Sequence, residues 1–253
     1  MTLINFNRLK YLWEYHYPMV KHQLFLYFVI SVLVAILTLL PLPAQAQISI
    51  FAIGNSILGY LVVLSPIVLA KNGDTRIVER LIPATAAEKF TWRIIYFLII
   101  IPIFCYVYPY LSNRLYFHIP EIQTALMTDT LELAVNNSFR LKCLNILSTL
   151  LQILVCLYVV TYARKSRIIK AVLSVFATQL VFGLIGFIWG ISETTGLLES
   201  HSFPININKE EIQSEIMDRM VSSSYIWSVT LLMACASLTM LWLNYRVLKK
   251  RNL

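Results

Sequence analysis

Residues 144–163 read Leu144-Asn-Ile-Leu-Ser-Thr-Leu-Leu-Gln-Ile-Leu-Val-Cys-Leu-Tyr-Val-Val-Thr-Tyr-Ala163, a run of 20 residues without a charge. Such a run is typical of a transmembrane helix, because a hydrocarbon core about 30 Å thick requires roughly 20 apolar residues in a helix. Five similar runs lie at 24–42, 48–70, 94–111, 168–191 and 225–243. With 58% hydrophobic and 13% charged residues among 253, the chain is predicted to be an all-α membrane protein, a single domain (1–253) of six transmembrane helices.

The distribution of charge predicts the orientation of these spans. With the N-terminus inside, 16 of the 21 lysine and arginine residues lie on the inner side, and nine of the 13 acidic residues lie on the outer side. Because basic residues concentrate in cytoplasmic loops, we expect both termini to lie in the cytoplasm. The membrane is expected to be the plasma (bacterial inner) membrane. The net charge of +8 reflects this orientation, and no separate basic patch indicates nucleic-acid binding.

A cleaved leader is the alternative interpretation of the first span. Pro43-Ala44-Gln45-Ala46 resembles the small-residue motif at which signal peptides are cut. The apolar run before it has 19 residues, whereas the apolar region of a signal peptide has roughly 7–15. We therefore expect a retained span.

Two amphipathic segments lie outside the spans. Residues 1–22 are predicted to form a helix in the cytoplasmic interface, with Lys21 and His22 turning the chain into the membrane. This helix is either an anchor or a strut that touches a cytoplasmic partner. Its apolar face comprises Phe6, Leu9, Leu12, Trp13, His16, Tyr17 and Val20. The pattern Asn208-Lys-Glu-Glu211 predicts the start of a second amphipathic helix, along the outer interface before the last span.

The connection between the second and third spans is rich in charge. It reads Asp74-Thr-Arg-Ile-Val-Glu-Arg-Leu-Ile-Pro-Ala-Thr-Ala-Ala-Glu-Lys-Phe-Thr-Trp-Arg93. Arg76, Glu79 and Arg80 share one face of a predicted short helix. Pro83 ends that helix, because proline lacks the backbone N–H that would continue it. An ordinary positively charged loop is the alternative interpretation.

The second half of this connection predicts a new helix. Thr85-Ala-Ala-Glu88 has the pattern of a capping box, in which the threonine hydroxyl and the glutamate carboxylate each accept a backbone N–H of the other residue. The third transmembrane helix is therefore expected to begin at Ala86. Lys89 and Arg93 are expected to meet lipid headgroups or a partner.

The polar side chains deep within the spans are uncharged. No Asp, Glu, Lys, Arg or His lies there, which argues against a proton-coupled or ion-coupled carrier and against an intramembrane hydrolase. Interhelical hydrogen bonds are the expected role of the polar side chains, and lining of a transport pathway is the alternative. They are Asn55, Gln152, Thr161, Ser174, Thr178 and Gln179. Gly183, Gly186 and Gly190 have the spacing of close helix contacts.

No catalytic, cofactor or metal site is predicted. The sequence contains no phosphate-binding Gly-x-x-x-x-Gly-Lys-[Ser/Thr] loop, so the chain is not expected to hydrolyse a nucleotide. Its four histidines lie apart from any acid at metal-ligand spacing, and its four cysteines show no short paired spacing. Buried inert thiols are expected, with a Cys105–Cys143 bridge as the alternative.

The segment Glu79-Arg80-Leu-Ile-Pro-Ala-Thr-Ala-Ala-Glu-Lys89 resembles the connection between spans two and three of ABC-2-type transporter permeases. In that family a charged helix precedes a Leu-x-Pro-x-Ser/Thr step, which is followed by Glu-Lys or Glu-Arg and the third span. The six-span layout, the N-terminal amphipathic helix and the outer helix before the last span are also similar. This chain departs from the pattern in lacking the glycine common after the first acidic residue, in carrying the later basic residue at Arg93, and in a longer third-to-fourth connection.

The resemblance implies a partner. In such permeases this segment is a coupling helix that docks on a separate ABC-type ATPase subunit, and two permease copies form the transport unit in the bilayer. Arg76, Glu79 and Arg80 would then face the ATPase, and Pro83, Thr85 and Glu88 would set the joint to the third span. We therefore expect a homodimeric exporter permease. The alternative is a membrane scaffold or immunity-type protein that binds a partner and transports nothing.

Overall fold

The computed structural model describes residues 5–38, 40, 44–70, 84–107, 139–163, 165–200 and 224–251. These residues form helices, with no strand among them. The helices, in chain order, are α1 (Phe6–Thr38), α2 (Ala44–Leu64, extended by a 3₁₀ segment Ser65–Ala70), α3 (Ala86–Val107), α4 (Phe139–Tyr162), α5 (Arg167–Ser200) and α6 (Ser224–Arg251). All six are long and apolar enough to cross a membrane. The prediction of an all-α membrane protein with six spans is confirmed.

The structure corrects the prediction of a separate N-terminal interfacial helix. The chain does not turn at Lys21 and His22, because α1 continues as one helix from Phe6 to Thr38. Pro18 lies inside α1 without ending it.

Part of the predicted apolar face of residues 6–20 packs against other helices of the protein. Leu12, His16 and Val20, spaced four residues apart, are buried, whereas Phe6 and Tyr17 at the edge of that face are exposed. Spacing of four residues places side chains one above the other on a helix. This row therefore forms the contact of α1 with its neighbours.

Helix α4 lies at the centre of the described structure. It packs against α6, α5, α2 and the 3₁₀ segment. All residues from 151 to 157 are buried, so every side of α4 is covered over two turns. By contrast, α5 leaves large apolar side chains such as Leu180 and Ile188 more than 60% exposed.

The main apolar cluster lies between α1, α2, α3 and α4. Tyr96, Phe97 and Ile101 of α3 are completely buried there, together with Leu58 and Val62 of α2. Helices α1 and α2 approach closely at Gly54, where an added Cβ would lie 2.5 Å from Cγ1 of Val34. Glycine is needed at this position because no larger side chain fits between the two helices.

Helix α3 is not α-helical throughout. It begins as an α-helix over Ala86–Ile94, widens into a π-helical turn over Ile95–Ile100, and becomes α-helical again to residue 107. The predicted outer amphipathic helix that begins near residue 208 lies outside the described residues.

Candidate functional site

The start of α3 has the predicted capping box. Thr85 has an extended backbone, with φ −68° and ψ 159°. The Glu88 N–H donates to Oγ1 of Thr85 at 3.3 Å, and the Thr85 N–H donates to Oε2 of Glu88 at 2.7 Å. Two of the N–H groups that a helix start leaves without intrahelical partners are thereby satisfied. The prediction that the helix begins at Ala86 is confirmed.

The Glu88 carboxylate also joins α3 to the start of α1. Its second oxygen, Oε1, accepts the backbone N–H of Asn5 at 3.1 Å, across 83 positions of sequence. Glu88 is 1% exposed. A buried carboxylate requires hydrogen-bond donors, and both of its oxygens have one here. The residue that caps α3 therefore also fixes where α1 begins.

The structure corrects the expectation that Lys89 and Arg93 meet lipid headgroups or a partner. Their exposed fractions are 7% and 5%. Nη1 of Arg93 donates to Oγ1 of Thr161 near the end of α4, at 3.1 Å. Together with Glu88 and Trp92, these residues form one continuous face over the first two turns of α3, and that face is covered by neighbouring helices.

An aromatic stack holds the same part of α3 against α1. The His16 and Trp92 rings are stacked with centroids 4.1 Å apart, and Trp92 stacks on Tyr96 at 5.4 Å. Trp13 contacts Tyr96 from the preceding turn of α1 at 6.3 Å. We call the set Asn5, Thr85, Glu88, Arg93 and Thr161 the α3 joint, and this stack lies beside it. Helix α6 also contacts the start of α3, where the ring of Tyr245 on α6 packs against that of Phe90 on α3.

The remaining residues of the predicted coupling helix, Arg76, Glu79, Arg80 and Pro83, lie outside the described residues. Their predicted contacts with a partner therefore stay predictions. The described part of the connection, from Ala84 onward, leads directly into the α3 joint.

The interior amides support the interhelical interpretation. Nε2 of Gln179 on α5 donates to Oε1 of Gln152 on α4 at 3.4 Å, and Nε2 of Gln152 donates to Oγ of Ser148 at 3.4 Å. Ser174 and Thr178 donate instead to carbonyls of their own helix. Asn55 is half-buried on α2. Of the predicted interior residues, Gln152, Gln179 and Thr161 therefore join helices.

The predicted glycine contact is not formed by Gly183. This residue is exposed on α5, and an added Cβ would meet no atom within 4 Å. Gly186 and Gly190 lie in the same helix. The close approach between helices falls at Gly54 on α2, which no spacing motif in the sequence indicated. A glycine contact depends on where the facing helix lies, and the spacing of glycines along one helix does not specify this.

Several buried hydrogen bonds between helices were not predicted. Gln23 and Tyr27 of α1, four residues apart, bond to α2 and α3, and their shared helical face was a signal available in the sequence. Oγ of Ser31 donates to the Cys105 carbonyl at 2.9 Å. Nδ2 of Asn244, one residue beyond the sixth predicted span, donates to the Leu154 carbonyl at 3.1 Å.

The arrangement consists of contacts between helices. It offers buried hydrogen bonds that fix helices against each other, and among the described residues no cluster of His, Cys, Asp or Glu has the composition of a metal site. Comparison of the chain with protein-family models, with curated proteins and with solved structures finds no match. The membrane fold and the α3 joint are therefore the features that bear on the function.

Proposed function

We propose that this chain is the membrane permease subunit of an ATP-driven exporter. Two copies would form the transport unit, and the connection 74–93, through its part before Thr85, would dock each copy on a separate ATPase subunit in the cytoplasm. The chain itself would carry out no chemistry. The proposal rests on the resemblance of residues 79–89 to a coupling segment and on the construction of the helix that follows it.

The observation that carries the proposal is the double use of Glu88. One oxygen of its carboxylate accepts the N–H of Thr85 at the start of α3, and the other accepts the N–H of Asn5, the residue immediately before α1. A push on the connection before Thr85 would therefore displace α3 and α1 together. Five residues along α3, Arg93 would pass the same displacement to α4 through Thr161. A connection that served only as a loop would not need a buried carboxylate at this place.

This construction favours rigid-body motion. Packed helices transmit displacement as units, because their interiors are as dense as organic crystals and deform little. Closure of two ATPase subunits would tilt α3 with its bound neighbours and expose the transport pathway to the other side of the membrane. The middle of each span is uncharged, which suits a lipid-like or hydrophobic peptide cargo. A cargo pathway lined by charge and ordered water would contradict that assignment.

The proposal is tested by purification of the chain with its native associates, followed by identification of bound proteins by mass spectrometry. The expected result is a P-loop ATPase whose hydrolysis depends on the chain. The variant Glu79→Arg with Arg80→Glu is then expected to lower association with that ATPase roughly tenfold or more, because reversed charges oppose a complementary surface.

A matched control is the exchange Lys10→Glu with Glu14→Lys. These side chains form an exposed ion pair at 3.8 Å on α1, and reversing both charges keeps the pair and the net charge. ATPase association should remain unchanged in this control. Unchanged association in the Glu79/Arg80 variant would remove those side chains from the docking surface. Absence of any ATPase would favour the scaffold alternative, and transport that collapses with the proton gradient without ATP would favour a secondary carrier.

A further inference from the structure

Helices α2 and α3 both depart from α-helical geometry beside α1. Helix α2 tightens into a 3₁₀ segment over Ser65–Ala70, and α3 widens into a π-helical turn over Ile95–Ile100. Tighter and wider turns change the direction and the rotation of a helix. Helical turns of these two kinds frequently mark hinges or functional sites.

Each irregular turn has a proline as its local cause. Pro66 is the second residue of the 3₁₀ segment, and Pro102 follows the π turn by two residues. Proline has no N–H to donate, and its ring collides with the carbonyl four residues earlier. In α3 the wider turn moves the hydrogen bond by one residue, so that the Ile101 N–H donates to the Tyr96 carbonyl, five residues back.

One side chain of α1 connects the two irregular turns. Nε2 of Gln23 donates to the Ser65 carbonyl at 3.0 Å, where the 3₁₀ segment begins. Oε1 of Gln23 accepts the hydroxyl of Tyr96, in the π turn, at 3.3 Å. The second N–H of Gln23 is used as well, because Nε2 also donates to the Tyr27 hydroxyl at 2.8 Å. Tyr27 in turn donates to the Leu61 carbonyl at 3.1 Å.

This Gln23 node (Gln23, Tyr27 and Tyr96 with the carbonyls of Leu61 and Ser65) lies within the main apolar cluster. Tyr27 is 6% exposed, and Tyr96 and Ser65 are completely buried. Gln23 is partly exposed, and its three partners lie on different turns and helices, so all the bonds of the node form together only in one arrangement of the three helices. The hydrogen bonds therefore fix the position of one turn relative to the other.

We propose that the 3₁₀ turn of α2 and the π turn of α3 form a paired hinge, and that Gln23 holds this hinge in its resting position. On one side of the hinge lies Ala86–Ile94 with the α3 joint. On the other side lie the turns of α2 before Ser65 and the turns of α3 after Ile100. When the Gln23 bonds open, both turns become able to change their helical geometry together. This proposal concerns the helices alone and holds whichever partner moves them.

Amide hydrogen exchange of the full chain in lipid nanodiscs tests the hinge. Gln23→Met removes every hydrogen bond of this side chain at nearly constant volume. It is expected to raise exchange in both 61–70 and 95–101 by roughly tenfold, because three partly buried hydrogen bonds are lost at once. Gln152→Met is the matched control: it makes the same chemical change at an amide that joins α4 to α5, and should leave both segments unchanged.

Two single-hydroxyl variants divide the node. Tyr27→Phe should raise exchange in 61–70 only, because it removes the bond to the Leu61 carbonyl in the turn of α2 before the 3₁₀ segment. Tyr96→Phe should raise it in 95–101 only, because it removes the bond of the π turn to Gln23. If Gln23→Met does not fold, these two variants test the proposal in its place. The proposal is overturned if Gln23→Met changes the two segments no more than Gln152→Met does, or if residues 151–157 of α4 open to the same extent. Equal effects of the two tyrosine variants on both segments would also overturn it.

Discussion

Helices α3 and α5 are held in the described structure in different ways. The start of α3 is fixed by a buried carboxylate and a buried guanidinium, with hydrogen bonds of 2.7–3.1 Å to Thr85, Asn5 and Thr161. In the described structure, α5 is joined to α4 by one amide hydrogen bond of 3.4 Å and by apolar packing. Hydrogen bonds require a specific direction, whereas apolar contact does not. The start of α3 is therefore held by more directional contacts than α5 is.

The largest effect is expected from Glu88→Ala. This change removes the carboxylate from the capping box of α3, so the N–H groups of Thr85 and Asn5 lose their acceptor, while the Thr85 hydroxyl still accepts the backbone N–H of residue 88. Loss of this buried acceptor costs about 1–3 kcal/mol. We therefore expect a loss of about 3 kcal/mol in stability, measured by thermal unfolding in detergent with tryptophan fluorescence.

The control for this change is Glu14→Ala. Glu14 is also an acid in a helix, but its side chain is 55% exposed and pairs with Lys10 at the surface. Its loss should cost no more than about 0.5 kcal/mol. Equal unfolding temperatures for the two variants would show that the α3 joint contributes no special stability.

The second comparison uses one substitution at two glycines. Gly54→Ala places a methyl group 2.5 Å from Cγ1 of Val34, a stiff β-branched side chain, and should cost about 2 kcal/mol. Gly183→Ala meets open space on α5 and should be neutral or stabilise by up to about 1 kcal/mol through helix propensity. Thermal unfolding compares the two variants directly.

A compensating change sharpens this test. Val34→Ala added to Gly54→Ala makes room for the new methyl group, so the double variant should recover part of the lost stability. Additive losses would mean that Val34 is not what excludes a larger residue at position 54. Destabilisation by Gly183→Ala would mean that α5 packs closely against another chain at this position.

The sequence was sufficient for features that depend on neighbouring residues. Six apolar runs of spanning length predicted six helices, and Thr85-Ala-Ala-Glu88 predicted both hydrogen bonds of the cap and the start of α3 at Ala86. A cap is closed within four residues, so its chemistry is readable from the chain alone. Span length is equally local, since it is set by bilayer thickness.

Features that depend on distant residues could not be predicted in this way. Lys89 and Arg93 have the composition of an interfacial pair, yet the helices packed around α3 bury both. The second partner of Glu88 is 83 positions away in sequence. Likewise, residues 6–20 have an amphipathic pattern that fits a membrane surface and fits a protein neighbour equally well. In the structure this face contacts a protein neighbour, because His16 and Trp13 pack against Trp92 and Tyr96 of α3.

A smaller effect is expected from Thr161→Val. The change is nearly isosteric and removes only the hydroxyl that accepts from Arg93, so a buried guanidinium N–H loses a partner. We expect a loss of about 1.5 kcal/mol. The control is Thr178→Val on α5, where the hydroxyl donates to the Ser174 carbonyl of its own helix. That loss should stay within about 0.5 kcal/mol, and a larger effect at Thr178 than at Thr161 would contradict the comparison of α3 with α5.

The smallest effect is expected where α5 meets α4. Gln152→Met removes an amide bond that is 3.4 Å long and only partly buried, and interhelical hydrogen bonds in membranes contribute about 0.6 kcal/mol on average. A double-mutant cycle with Gln179→Met should give a coupling energy of that size, measured by thermal unfolding. A coupling of about 2 kcal/mol or more would place α5 in the same class of contact as α3. Helix α5 would then be fixed in direction as well, and displacement entering at Glu88 would reach it through α4.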